Sequence, residues 1–515
     1  MSTKTTHKLS LALAVSMALA AGASAQITGP SSSATPYVLP LAGLGTPNYP
    51  YFQTTSILSV GNTTAYVGGG NSPTSVGSGA NNTAANRYAM SGIPDGLGAF
   101  DNDDGTFTLL MNHELGATAG IARAHGAKGA FVSRWIIDKR TLKVLHGKDL
   151  MESVGLWNGA DYVFSTPVAF ARFCSADLPE RSAFWNKRTR RGTRERLFMN
   201  GEENGAEGRA FAHAMDGTTY ELPWLGKMSF ENTVANPATA DDTIVACTDD
   251  DAAGQIYVYA GHKQLSGDTP VEEAGLTNGV VFGVKVTGFP FEDPVTAIPS
   301  GTRFTVKGFG DVSATTGAAL QTASRAAGVT EFNRPEDGCW DPTRTNDFYF
   351  VTTASFTGNS RLWRLRFDDA SIPELGGRID LLLGGTEGPK MMDNITIDEQ
   401  GRIVIQEDPG GQNHIAKLWL YDIDDDEIVE IAQHDPVRFG PGGAGFLTND
   451  EESSGVIDVS DILGDGKFLL DAQAHYGLET ELVQGGQLLL LELDKPHKHK
   501  AKKDKHEDRR DRCDD

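Results

Sequence analysis

The chain has 515 residues, a formal net charge of −23, 39% hydrophobic residues and 59 glycines. That apolar fraction is ample for a core, and the glycine content suits many tight turns between short strands. The acidic balance excludes DNA, RNA and anionic membranes as main partners, because their phosphates would be repelled.

The chain opens with Lys4, His7 and Lys8 ahead of an apolar run from Leu9 to Ala21, and Ala23-Ser24-Ala25 then offers small residues for cleavage before Gln26. This reads as a secretory signal over residues 1–25. The run is too short to span a bilayer comfortably, and no later stretch is long and apolar enough to cross one. The mature chain is therefore expected without a transmembrane segment, in the periplasm or outside the cell. From 26 to 91 the chain is rich in Gly, Ser, Thr and Asn and reads as loop or partly disordered surface.

From Gly92 short β-like runs alternate with turn residues: "FTLLMNH", "RLFMNGEENG", "TIVACTDDD", "QIYVYAG", "FYFVTTAS", "RLWRLRFDD", "GRIVIQEDPGG", "KLWLYDIDDD" and "QLLLLELD". Helical patterns are scarce, with "GAALQTASRAAG" the best short helix. Paired runs near 196–222, 243–263, 348–369, 403–422 and 466–494 resemble one another. Such repetition predicts an all-β fold, a β-propeller spanning 92–494, preferred over a β-sandwich with long insertions. About five to seven blades fit the length, and six is the reading adopted. Residues 495–515 are nearly all charged, lack apolar periodicity and read as a disordered tail, in which His497 and His499 are solvated rather than metal-bound.

Four cysteines, Cys174, Cys247, Cys339 and Cys513, are too few for a disulfide scaffold. A Cys247–Cys339 bridge is the pairing an oxidising compartment would permit.

The acids at strand ends are the informative feature. Asn112-His113-Glu114 follows "FTLLM", Glu202-Glu203 follows "RLFMN" and a glycine, and Glu231 follows "KMSF". Asp249 and Asp250 follow "TIVACT", and Glu336 sits in "NRPEDGCW". Asp393 precedes "NITID", and Glu407 and Asp408 follow "GRIVIQ". Singly, such acids are more often turn residues than ligands; "DIDDDE" at 422–427 and Asp101 to Asp104 read as ordinary hairpin loops. In a propeller, however, corresponding strand ends converge near one mouth of the central channel. Carboxylates brought that close repel and raise one another's pKa, and cations relieve this. Numerous oxygen ligands favour calcium; a thiolate or imidazole among them would favour a transition metal such as iron. No GxSxG elbow, HExxH, P-loop or dinucleotide glycine motif is present, so serine nucleophiles and nucleotide cofactors have no support.

The segments "GIPDGLGAFDNDDGTFTLLMNHELG", "GEENG", "SFEN", "CTDDDAAGQIYVYAG", "RPEDG" and "DNITIDEQGRIVIQED" occur in an order that resembles the PhoX-type alkaline phosphatases, over roughly Gly92 to Leu493. The resemblance implies an exported β-propeller that hydrolyses phosphomonoesters with calcium and iron held by acids and a cysteine thiolate. It brings Glu114, Glu202, Glu203, Glu231, Asp249, Asp250, Glu336, Asp393, Glu407 and Asp408 in as metal ligands. Phe230 stands where the family has histidine beside the acid corresponding to Glu231. Cys174 is the candidate thiolate, and here the chain inserts "LPERSAFWNKRTRRGTRER" before the paired glutamates. Arg334 and Lys390 are the basic residues that would orient phosphate, although each can equally pair with its acidic neighbours.

Two other readings stay open on the residues alone. One is a non-catalytic, calcium-stabilised extracellular propeller serving as a binding module. The other is a calcium-dependent propeller hydrolase of a different ester class, such as a lactonase. The substrate of the phosphatase reading is a small phosphoester; oligomeric state is not legible.

Overall fold

Hairpin chemistry explains the local architecture. Between strands Pro94–Asp101 and Thr106–His113, Asp103 and Gly105 adopt positive φ (60° and 89°), and the Asp101 and Asp104 carboxylates accept from the Asp103 and Thr106 amides. Asp and Gly tolerate that backbone region, so the acidic loop turns the chain back on itself. The same logic places Asp422 to Glu427 between Lys417–Asp422 and Glu427–His434.

In the computed structural model, residues 29–41, 52–66, 87–164 and 167–493 are described. The expected secretory signal, much of the Gly/Ser/Asn-rich stretch and the charged tail with His497, His499 and Cys513 lie outside them. Six strands form an inner ring: Pro94–Asp101, Phe173–Asp177, Phe230–Ala235, Pro335–Trp340, Met392–Ile397 and Glu451–Asp458. Each contacts the inner strands before and after it, and the sixth contacts the first. From each, a sheet runs outward whose strands nearest the channel are antiparallel, giving a six-bladed β-propeller. The third and fourth blades join at their rims, where Thr302–Gly310 pairs with Gly377–Leu383, so that they form one nine-stranded sheet.

The sheets also take in strands on the N-terminal side of Gly92. Phe52–Ser59 pairs with Gln484–Leu493 and closes the sixth blade. Val38–Pro40 edges the fifth blade, while Thr63–Tyr66 and Arg87–Ala89 edge the first. Closure by a strand from the other end of the chain ties the ring together and covers an otherwise exposed sheet edge. The helix expected at "GAALQTASRAAG" is Gly317–Ala327, started by the Thr316 side chain accepting from Ala319 N and ended by Gly328 in the left-handed region. No helix among the described residues is long and apolar enough to cross a membrane.

The core lies between blades. Alternate side chains of Lys467–Gly477 go opposite ways: Phe468, Leu470 and Ala472 pack toward the fifth blade with Val404 and Leu418, and Leu469 toward the first with Trp135 and Leu109. A sheet covered on both faces reads as a near-continuous apolar run, as "QLLLLEL" does. Each such Leu or Phe contributes about 1.5–3 kcal/mol by leaving water.

Cys247 and Cys339 are both free thiols, so the pairing that the sequence left open is not formed. Cys247 packs in the apolar cluster between the second and third blades, whereas Cys339 packs beside Tyr349 and Ile395 toward the fifth. The two side chains leave their strands toward opposite sides of adjoining blades.

Candidate metal centre

The inner strands all start at one mouth of the channel, and at each start the second residue can ligate a metal: Asp95, Cys174, Glu231, Glu336, Asp393 and Glu452. A local irregularity explains why these side chains turn inward. In five of the six strands the register with the neighbouring strand skips at or beside this position, between Pro94 and Leu97, Phe173 and Ala176, Phe230 and Asn232, Pro335 and Gly338, and Met392 and Ile395. A bulge frees residues from the ladder and re-aims their side chains. The chain is bent into this start as well: Ile93, Arg172, Arg334 and Met391, each just before an inner strand, have φ between 46° and 59°. Left-handed backbone in non-glycine residues costs about 1–3 kcal/mol and is concentrated at functional sites.

A second set of acids arrives from the far ends of the second strands. Glu114, Glu203, Asp250 and Asp408 each follow directly on Thr106–His113, Leu197–Glu202, Asp242–Asp249 and Arg402–Glu407. Together with the inner-strand residues, Arg172 and Arg334, they line a cavity of about 50 Å³. Nine carboxylates and one thiol thus face two guanidiniums.

Three groups place ligand atoms within 4.8 Å of one another: Asp95 with Glu114 and Cys174, Cys174 with Glu203 and Glu231, and Glu231 with Glu336 and Asp393. Cys174 and Glu231 each belong to two groups. Cys174 Sγ lies 3.0 Å from Glu203 Oε2. Arg172 bridges Glu114 at 2.9 Å and Glu203, while Arg334 bonds Asp250 at 2.7 and 2.9 Å and Glu336 at 2.8 Å. Beneath the cavity a polar floor holds the acids: Ser175 donates to Glu231 at 2.5 Å and accepts from Asn394 at 2.7 Å, and Asn232 donates to Asp337 at 2.6 Å. Gln473 Nε2 donates to Asp95 and Glu114, each at 3.1 Å.

The electrostatics are those of a crowded anionic cage. Burial, reinforced by neighbouring carboxylates, pushes Asp95, Glu231, Glu336 and Asp393 well above the usual range and the Cys174 thiol likewise. Burial raises Glu203 to about 7, and burial with Asp408 raises Glu452 to about 8. His475, 3.8 Å from Glu452, is raised to about 10 by that carboxylate against the opposing effect of burial. Without cations the folded cage must hold several protons; with cations it can ionise. Carboxylate oxygens in such number suit hard cations such as calcium, and the thiol adds a donor that suits a transition metal.

Several expected residues lie elsewhere, and strand alternation gives the reason. Successive side chains point to opposite faces, so only the second of each acidic pair reaches the cavity. Glu202 instead pairs with Arg209 at 2.7 Å and accepts from Ala171 N. Asp249 accepts from Ser229 N at 3.0 Å and faces a small cleft with Lys227 and Arg325. Glu407 accepts from Lys390 N, His414, Lys417 N and Trp419 Nε1 at 2.8 to 3.1 Å. Lys390 supplies that backbone amide and does not line the cavity. Glu114, Cys174, Glu203, Glu231, Asp250, Arg334, Glu336, Asp393 and Asp408 do line it.

Asp95, Arg172 and Glu452 were not among the expected residues. Asp95 and Glu452 could have been found by aligning the inner-strand starts, "PDG", "FCS", "FEN", "PED", "MDN" and "EES", at one common position. The insertion after Cys174 leaves the cavity intact. It folds away as the turn Arg181–Ala183 and a hairpin pairing Trp185–Asn186 with Arg191–Gly192, and the chain returns at Leu197–Glu202 beside Cys174.

No protein-family model and no curated protein matches the sequence. Among solved structures, the chain is similar to Pseudomonas fluorescens PhoX in complex with vanadate, a transition state analogue, with 11% identity, a TM-score of 0.61, and coverage of 86% of this chain and 95% of that one. A polysaccharide lyase of family PL25, an ulvan lyase, aligns with 10% identity and a TM-score of 0.33 over 77% of this chain and 78% of that one. The β-propeller domain of the trilobed protease from Pyrococcus furiosus aligns with 6% identity and a TM-score of 0.28, covering 75% and 92%. The similarity to PhoX, which spans nearly all of that chain, is one of fold.

Proposed function

We propose that this chain is an exported, metal-dependent phosphoester hydrolase of the PhoX-like kind, acting on small phosphomonoesters. The observation that carries the reading is the convergence of one ligand-type residue from the same position of all six inner strands on a cavity flanked by Arg172 and Arg334. The fold similarity to a protein crystallised with vanadate supports the same chemistry, since vanadate mimics phosphorus in transfer. Calcium is the principal cation we assign, held by the carboxylates, with iron where Cys174 takes part as thiolate.

Bound cations would reverse the local charge and polarise a phosphoryl group, which a cage of carboxylates alone would repel. The chain's own residues do the remainder. Arg334 spans Asp250 and Glu336, and Arg172 spans Glu114 and Glu203. Once cations share those carboxylates, each guanidinium has N–H groups free for phosphate oxygens in forked geometry. Ser175, itself held by Asn394, keeps Glu231 oriented, and Asn232 holds Asp337 beside it. In this reading the carboxylates are ligands and not general bases.

A second reading has an observation in its favour. The cavity holds only about 50 Å³ and both arginines are already ion-paired, which suits a calcium-clamped binding propeller without turnover. Hydrolysis of p-nitrophenyl phosphate by the purified mature protein, measured before and after chelation and after return of each metal, separates the two. Chelator-sensitive turnover restored by metal supports the hydrolase. Full metal loading with no turnover on a range of phosphoesters sinks it and leaves the binding module.

A further inference from the structure

The basic charge of this chain is unevenly placed. Against a formal net charge of −23, Lys187, Arg188, Arg190, Arg191, Arg194 and Arg196 crowd into residues 187–196. This is the segment between the inner and second strands of the second blade. It leaves the inner strand at its far end, so it lies on the propeller face opposite the acidic cavity.

The segment is built to hold its shape. Asp241 accepts from Asn186 Nδ2 at 2.6 Å and from the Thr189 hydroxyl, and lies 3.8 Å from Arg191. Gly192 N donates to Gln264 O at 2.6 Å. With φ at 96° and a Cβ position 1.9 Å from Phe184 O, residue 192 can only be glycine. The hairpin is thus fixed by groups other than the exposed Lys187, Arg188, Arg190 and Arg194, and among the described residues none of those four is ion-paired. Arg194 lies over the Trp185 ring, 4.7 Å from its centroid.

Between the hairpin and the segment 265–273 lies an open cleft of about 830 Å³. Trp185, Arg190, Arg194 and Glu195 form one side, and Asp268, Thr269 and Glu273 the other. The two walls ask for different things. Guanidiniums without acidic partners take an anionic group in forked hydrogen bonds. Carboxylates and a hydroxyl opposite accept from neutral O–H donors and repel a continuous phosphodiester backbone. A tryptophan adds apolar surface beside the polar groups that fix orientation. A sugar ring bearing an anionic substituent meets all three demands, and the rigid hairpin avoids an ordering cost on binding.

We infer that this cleft binds an acidic oligosaccharide, one carrying sulfate or uronate groups, on the face away from the carboxylate cavity. The inference does not depend on what the cavity does. Titration calorimetry of the full chain with a heparin-derived hexasaccharide tests it, repeated with Arg190→Asn, which keeps a residue tolerant of positive φ, and with Arg194→Ala. Saturable binding at one site, weakened by salt and reduced at least about tenfold in each variant with melting temperature and metal content unchanged, is the expected result. No binding by the parent chain overturns the inference. So does binding that survives Arg190→Asn, or equally tight binding of a single-stranded DNA of matched charge, which would mark a general polyanion surface.

Discussion

Cys174 Sγ lies 3.0 Å from Glu203 Oε2, although a 29-residue separation containing the basic hairpin divides them in sequence. The ladder between Phe173–Asp177 and Leu197–Glu202 brings them together, because Phe173 is opposite Glu202 and the residue following each then faces the channel. The thiol and the carboxylate are therefore placed to serve as one donor pair, and the insertion between them is a surface elaboration.

Replacing Cys174 with serine should remove the sulfur donor that the described residues give the cavity while leaving its carboxylates. Titration with cobalt(II) after chelation checks this: the parent chain gives a sulfur-to-metal charge-transfer band in the near ultraviolet, and Cys174→Ser lacks it while still binding calcium. The same band in the variant would put the thiol outside the site.

Glu231 belongs to two of the three ligand groups, and Glu407 to none. Glu231→Gln should lower bound metal by half or more, with loss of any metal-dependent turnover. Glu407→Gln should leave metal content intact but destabilise the fold by about 3 kcal/mol, since four donors converge on that buried carboxylate. Metal analysis and urea unfolding on both variants distinguish a ligand from a structural acid.

The stripped protein should lose stability as pH rises. Glu203, Glu452 and the buried Asp177 have folded pKa values raised to about 7, 8 and 7, burial being the leading cause in each. A carboxyl that binds its proton more tightly when folded contributes stability fully below its unfolded pKa, about 4, and loses it as pH passes the folded value. The melting temperature of the chelated chain should fall between about pH 4 and pH 8. Metal should reverse the trend, because cations compete with protons for the same oxygens. A stripped protein whose stability rises over that window contradicts the cage.

Closure of the ring by Phe52–Ser59 can be weakened at one side chain. Ile57 is fully buried between the sixth and first blades, and Ile57→Ala should cost about 2–5 kcal/mol. Thermal unfolding with and without metal measures it, and a cost below about 1 kcal/mol would mean that the strand is dispensable to the ring.

The propeller was largely legible in the sequence, because the second and third strands of each blade carry dense apolar runs such as "RLWRLRF" and "KLWLYD". The closing strand was not: "FQTTSILS" is mostly polar and lies near glycine- and serine-rich sequence, so composition hid it. Within the site, the acid clusters marked the right strand ends, but a run such as Glu202-Glu203 does not say which side chain points inward. Alternation decides that, and it follows only once the strand register is known. Asp95 and Glu452 escaped notice for a related reason. Asp95 is a single acid and Glu452 ends the run Asp450-Glu451-Glu452, and the meaning of each comes from occupying the same position as Glu231 and Glu336 in other blades.

Metal analysis of the purified chain, prepared without chelator, beside a Glu231→Gln, Glu336→Gln double variant tests most directly whether the cavity is a metal cage. Tightly bound calcium, with or without iron, in the parent and its loss in a folded double variant is the predicted result. A metal-free parent chain that melts unchanged when calcium is added would contradict it.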